Sequence, residues 1–138
     1  MFLPISDRKI LRMTFEHSPF RQVWLESPDG RILSALINGE LGWLMYLRES
    51  GDAGFSSRNP EYVGSAAEMV QYQLDNGQID EYPRAWAYPV EVIDRAIEYF
   101  SRTGKPPTFI EWHNDSGDGR PIIPKEPHYP GRSGRVFE

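Results

Sequence analysis

Only one stretch of this chain reads as a long amphipathic helix, and nearly everything around it reads as strand or turn. In PVEVIDRAIEYFSR, Pro89 to Arg102, a step of about 100° per residue gathers Val90, Val92, Ile93, Ala96, Ile97, Tyr99 and Phe100 on one half of the helical wheel. Glu91, Asp94, Arg95, Glu98, Ser101 and Arg102 take the other half, and Glu91–Arg95 and Glu98–Arg102 are spaced as favourable i,i+4 pairs. Pro89 suits a first helical turn, Gly104 suits the position just past the end, and Pro106-Pro107 forbids continuation. A solitary helix with one apolar face needs a sheet to bury that face.

The rest of the chain supplies one. KILRMTFE alternates Leu11, Met13 and Phe15 with Arg12, Thr14 and Glu16, the period of a half-buried strand. FRQVWLE and RILSALI flank Ser27-Pro28-Asp29-Gly30, in which proline pre-sets a turn and glycine accepts positive φ. RILSALI is apolar on both faces and reads as central. Asn38-Gly39 marks a second turn, leading into the apolar GWLMYLR. Glu49 to Ser65, with Gly51, Gly54, Pro60 and Gly64, reads as loop. AEMVQYQL sets Val70, Tyr72 and Leu74 on one face and Met69, Gln71 and Gln73 on the other, and Asp75-Asn76-Gly77 turns it into QIDEYPRAWAY. Asp80-Glu81-Tyr82-Pro83 reads as an irregular edge, because proline cannot donate to a ladder. After the helix, TFIEW reads as a short strand with Ile110 and Trp112 inward. The expected fold is α+β: a single twisted antiparallel β-sheet with one main amphipathic α-helix packed on one face. Residues 1–112 form the domain, and 113–138 an irregular Pro/Gly-rich C-terminal tail.

A chain of 138 residues is the size of one domain and buries roughly two-thirds of its unfolded surface, so it needs no covalent staple. It has no cysteine, which excludes disulfide scaffolds, thiolate zinc sites, thiol nucleophiles and iron–sulfur clusters. The opening run MFLPISDRKIL stops at Pro4 with no basic region before it, so neither signal peptide nor anchor is expected. No stretch approaches the roughly 20 apolar residues of a membrane span, and a cytoplasmic location is expected. Net charge is −5. The tail carries four residues of each sign, so the excess lies in residues 1–112, with 16 acidic against 11 basic. Such a domain suits a basic protein partner and not nucleic acid, although mild acidity alone also keeps a protein in solution.

Chemistry is hard to assemble from these residues. His17, His113 and His128 lack metal-ligand spacing. Ser116 with His113 and Asp115 or Asp118 falls in one glycine-rich loop, without the strand–turn–helix that presents a nucleophile. HNDSGDG lacks the regular carboxylate spacing and closing glutamate of a calcium loop. GELG opens a strand and not a helix, and Asp80 and Glu81, being adjacent, point to opposite faces of theirs. No catalytic residue, metal or cofactor is expected.

Aromatic content is the remaining peculiarity, with four tryptophans, seven tyrosines and seven phenylalanines. Phe15, Tyr72, Phe100 and Trp112 follow apolar faces. Trp24, Trp43, Tyr46, Tyr82 and Trp86 are not assigned by pattern: a second buried face, an oligomer interface and a protein-binding face all accommodate them. In the last case aromatics anchor and nearby carboxylates steer, which makes Glu40, Trp43, Tyr46, Glu49, Asp52, Asp80, Glu81 and Tyr82 the candidate binding set.

The segment DNGQIDEYPRAWAYPVEVIDRAIEYFSRTGKPPTFIEW resembles the Imm1 family of immunity proteins, antidotes of bacterial polymorphic and contact-dependent toxin systems. The matching features are a strand turning through Asn76-Gly77-Gln78, a proline-containing edge, the helix ending in Phe100, the Thr-Gly-Lys-Pro-Pro connection and a strand closing on Trp112. The likeness spans roughly Arg12 to Asn114 and leaves out the tail. It implies a non-enzymatic protein that binds the C-terminal domain of a cognate toxin and blocks its active site or substrate access. Toxins paired with such antidotes are often nucleic-acid deaminases. The implied partner is a protein, with no nucleic acid and no membrane, and the free chain is a monomer or weak homodimer. A ligand-binding or enzymatic domain with a pocket lined by Trp43, Tyr46 and Trp86 is the competing reading, and an oligomer-forming module is the third.

Overall fold

The computed structural model describes residues 18–123. The strand expected at KILRMTFE, and the tail beyond residue 123, lie outside the described residues. Strands β1 (Phe20–Glu26) and β2 (Ile32–Asn38) pair antiparallel from Phe20↔Asn38 to Glu26↔Ile32. Their turn is the expected Ser27-Pro28-Asp29-Gly30, with Gly30 at φ 90°. The next turn, with Gly39 at φ 60°, delivers β3 (Leu41–Leu47) antiparallel to β2. β3 then divides its far edge between two partners. Its C-terminal half takes β4 (Phe55–Arg58) and its N-terminal half takes the two-residue β7 (Tyr88–Pro89). Between them the Ser57 hydroxyl accepts from the Leu44 N–H at 3.1 Å and donates to the Trp86 carbonyl at 2.9 Å, so both of these backbone groups are paired where the ladder forks. β8 (Glu111–Asn114) closes the sheet beside β4, in the order β1-β2-β3-β4-β8.

Helix α1 (Val90–Thr103) lies on one face of this sheet. Ile93, Ala96 and Phe100 are fully buried against Leu33, Ala35, Ile37, Leu44 and Tyr46, with Val90, Val92 and Ile97 packed around them. At its end Gly104 adopts φ 70° and its N–H reaches the Phe100 carbonyl at 2.7 Å. The opposite face is covered by β5 (Met69–Gln73) and β6 (Ile79–Pro83), an antiparallel hairpin turned at Gly77, φ 93°. Val70 and Tyr72 face inward onto Leu36 and Trp43. Because β2 contributes Leu33, Ala35 and Ile37 to one core and Leu36 to the other, it is covered on both sides, as its apolar sequence requires.

The α+β class is as expected, with one helix packed against antiparallel sheet. Two features differ. The β5–β6 hairpin forms a separate two-stranded ribbon laid across the main sheet and does not extend a single sheet. The expected loop from Glu49 to Ser65 contains β4, whose Ser56 and Ser57 are almost fully buried. Hydrophobic pattern does not report this strand, because hydroxyls fill the interior positions and are satisfied there.

The helix leaves no room for a side chain at Gly42, where a Cβ atom would come within 2.7 Å of Ile93 Cγ1 on the helix and 3.3 Å of Ile37 Cγ1 on the neighbouring strand. Replacing Gly42→Ala is expected to lower stability by roughly 1–3 kcal/mol through overpacking, read from the midpoint of urea unfolding.

Candidate protein-binding site

The ribbon is fastened to the sheet by stacked rings. Tyr82 lies against Trp43 with centroids 4.2 Å apart and 17° between planes, with Trp86 at 5.9 Å and 24° and Tyr72 at 6.2 Å and 38°. The Arg58 guanidinium caps the column 3.6 Å from the Trp86 ring centre, a cation–π contact. The Tyr82 hydroxyl donates to Asp80 at 3.2 Å. Burial first, and then the Asp80 carboxylate, raise the Tyr82 phenol above its ordinary pKa, so it stays protonated and donating. Two backbone-anchored links complete the attachment: Asn38 Nδ2 donates to the Gln71 carbonyl at 2.9 Å, and the Asp75 N–H donates to Gln22 Oε1 at 2.7 Å.

These contacts redistribute the eight candidate residues. Trp43 and Tyr46, three apart on one strand, project to opposite faces: Trp43 lies under the ribbon and Tyr46 under the helix, 7 % and 0 % exposed. Neither is presented to a partner, and the two cannot line one pocket with Trp86. The Asp52 side chain is 2 % exposed and is bound by Arg48 through Nε at 2.7 Å and Nη2 at 2.8 Å, so it offers no steering charge. Glu40 and Glu49 are exposed but stand at opposite ends of β3, and Glu49 faces Arg120 at 3.8 Å. Asp80, Glu81 and Tyr82 remain together on the ribbon, with Glu81 outward and Asp80 and Tyr82 partly covered.

The same Arg48 organises the first part of the Pro/Gly-rich C-terminal segment. β8 runs on through His113 to Asn114, and Arg48 also holds Asp118 at 3.1 Å, Ser116 Oγ at 3.3 Å and the Arg120 carbonyl at 3.2 Å. Ser116 donates to Asn114 Oδ1 at 2.6 Å, and His113 Nε2 stands 3.7 Å from Asp115, so no serine–histidine pair forms. Among the described residues no three His, Asp or Glu side chains converge as metal ligands, and no helix is long and apolar enough to cross a membrane. A groove of about 620 Å³ does open between the β1–β2 turn and the C-terminal end of α1. Leu25, Pro28, Asp29, Arg31, Arg102 and Lys105 line it, mixing both charge signs with apolar walls and including none of the candidate aromatics.

What the sequence pattern did not single out is the ribbon's outer side. Met69 and Ile79 are 44 % and 50 % exposed there, and Trp24, on the adjacent edge strand, is 56 % exposed. Val23 and Leu25 pack toward the helix, so Trp24 projects to the ribbon's side of the sheet. Charge is concentrated in the same place. Residues 59–83 hold Glu61, Glu68, Asp75, Asp80 and Glu81 and no lysine or arginine, leaving fifteen residues of each sign elsewhere in the chain. The net −5 therefore belongs to this 25-residue lobe. A count over 25-residue windows finds it, whereas a count over the first 112 residues averages it away.

A family model described as Immunity protein Imm1 matches residues 11–114. No curated protein and no solved structure matches the chain.

Breaking the buried ion pair has a predictable cost. Hydrogen bonds from Arg48 hold the Asp52 carboxyl well below the usual carboxylate range, against desolvation. Asp52→Ala should cost about 3 kcal/mol in urea unfolding near neutral pH, since Asp118 still partly neutralises Arg48. The folded-state pKa is depressed, so the stabilisation is complete above about pH 5 and disappears as pH falls well below the unfolded value of about 3.9. The gap between wild type and variant should close accordingly in acid.

Proposed function

The chain belongs to the Imm1 immunity protein family, and from that premise we propose that it neutralises a cognate toxin by binding the toxin's C-terminal domain in the cytoplasm of the producing cell. The toxin acts on nucleic acid, with a deaminase the leading candidate, and the bound chain covers its active site or substrate groove. It performs no chemistry itself. The observation that carries this reading is the confinement of the whole net charge to residues 59–83, a stretch that includes the ribbon packed on the sheet face that the helix leaves open. An enzyme that handles polynucleotides presents a basic, phosphate-attracting groove, and an acidic lobe is complementary to it in sign. Field-driven encounter then makes association fast, and buried apolar contacts make release slow. Of the candidate carboxylates, Asp80 and Glu81 sit within that lobe, while Glu40 and Glu49 lie outside it.

The test is co-expression with the toxin domain encoded beside this chain. Growth should be rescued and a stable complex recovered. The association rate should fall about tenfold or more as the Debye length contracts from about 30 Å at 0.01 M salt to about 3 Å at 1 M. Absence of rescue and of binding, or substrate turnover by the isolated chain, overturns the proposal.

A further inference from the structure

Four surfaces compete to be the contact. The polar side of α1 alternates Glu91, Asp94, Arg95, Glu98 and Arg102 without an exposed large apolar residue, the pattern of a solvated face. At the β8 end Phe109 is exposed, but Arg95 lies 5.3 Å from its ring centre and Tyr99 meets it edge-on at 6.0 Å, so it is partnered within the fold. The groove at the end of α1 is charged in both senses, and Arg31 already donates to the Gly104 carbonyl within it at 3.1 Å. The outer face of the ribbon is different in each respect.

On that face the antiparallel register sets Met69 beside Pro83, Gln71 beside Glu81 and Gln73 beside Ile79. The result is a short slab with an apolar side chain near each end and a polar centre. Neither Met69 nor Ile79 has a place in either core. Inward packing is already satisfied by Val70, Tyr72 and Tyr82, so nothing in the fold requires large apolar residues on the outside. Around them the lobe has no positive charge of its own. Arg84, just past it, pairs with Glu68 at 3.1 Å, while Glu61, Asp75 and Glu81 have no ion-pair partner among the described residues. A lobe whose net charge is negative and whose outer face carries two uncovered apolar side chains is complementary to one kind of surface, a basic protein groove with apolar patches in its floor.

We propose that the outer face of the β5–β6 ribbon, centred on Met69, Ile79 and Glu81, is the surface that enters the toxin's basic groove. This rests on the proposed toxin partner and specifies how it is met. Charge supplies encounter and orientation, and Met69 and Ile79 supply the buried contacts that slow release. The ribbon presents a narrow outer surface, two strands wide with about 5 Å between strands, as a separate layer over the sheet.

The experiment compares two charge-matched variants against the toxin domain encoded beside this chain, with the toxin's active site inactivated. The first, Met69→Lys/Ile79→Lys/Glu81→Lys, changes the ribbon by four charge units. The second, Glu91→Lys/Glu98→Lys, changes the polar side of α1 by the same four. All these side chains are outside the cores, and circular dichroism with urea unfolding verifies that both variants fold. Titration calorimetry should show the ribbon variant binding at least about 100-fold more weakly and the helix variant within about threefold of wild type. A short single-stranded oligonucleotide should compete with the wild-type chain for the toxin. Equal weakening by the two variants would reduce the effect to net charge and overturn the inference. So would unchanged affinity of the ribbon variant, in either case leaving the toxin partner intact. A wild-type chain that fails to bind overturns the proposed function and this inference together.

Discussion

A strand that is apolar on both faces cannot lie at a surface, and β2 makes that demand at the centre of this protein. Leu33, Ala35 and Ile37 on one side and Leu36 on the other must each be covered by something. Among the described residues there is one amphipathic helix, which can satisfy only one side. The second cover has to come from strands, and the β5–β6 ribbon provides it by directing Val70 and Tyr72 inward. Because side chains alternate along a strand, that commitment sends Met69, Gln71 and Gln73 outward. The outer face is thus a consequence of the same packing that completes the second core.

The ribbon's attachment bears on how it behaves as a surface. Its contact with the sheet depends on Tyr82 stacked on Trp43, on aliphatic burial and on two hydrogen bonds from Asn38 and to Gln22. Trp43 Nε1 and the Tyr72 hydroxyl are buried without a hydrogen-bond partner among the described residues. Shape and stacking, more than hydrogen bonding, hold this layer in place, and offset stacked aromatic pairs contribute about 0.5–1.5 kcal/mol beyond their buried area. The other end of the sheet is held in the opposite way. There Arg48 gathers Asp52, Asp118, Ser116 and a backbone carbonyl around one buried guanidinium. Such a hub is sensitive to the loss of any one partner, while the stacked layer tolerates exchange of one ring for another.

Much of this was legible in the sequence, and the exceptions have physical reasons. The helix is displaced by one residue from its expected span, because Pro89 lies in β7 just before the first turn and Thr103 completes the last. Three turns fall where proline, asparagine and glycine placed them, with Gly30, Gly39 and Gly77 all at positive φ. β4 was invisible because Ser56 and Ser57 are polar in isolation and become interior only when Leu44, Trp86 and Arg58 supply their partners. Asp52 read as a surface charge because a lone carboxylate in a glycine-rich stretch gives no hint of Arg48 four residues earlier in a buried pair. Trp43 and Tyr46 were separable in principle, since an odd spacing on one strand always divides faces. Assigning either face to the interior required knowing that both are covered.

The fate of the aromatic residues decides what kind of recognition this fold can support. Trp43, Tyr46, Tyr72 and Tyr88 are spent inside, and Tyr82 and Trp86 brace the ribbon. Among the described residues, Trp24, Phe109 (itself held by Arg95 and Tyr99), Met69 and a few aliphatic side chains are what remain to be offered outward. A surface with so few apolar anchors gains little from area alone, so orientation and speed of encounter must come from charge. Exposed charges act over about 10 Å at moderate salt, and they act together only if they share a sign and a location. Five carboxylates in 25 residues, with no lysine or arginine among them, meet that condition. The same five residues scattered over the sheet and helix would have left the net charge at −5 without concentrating it on any one face.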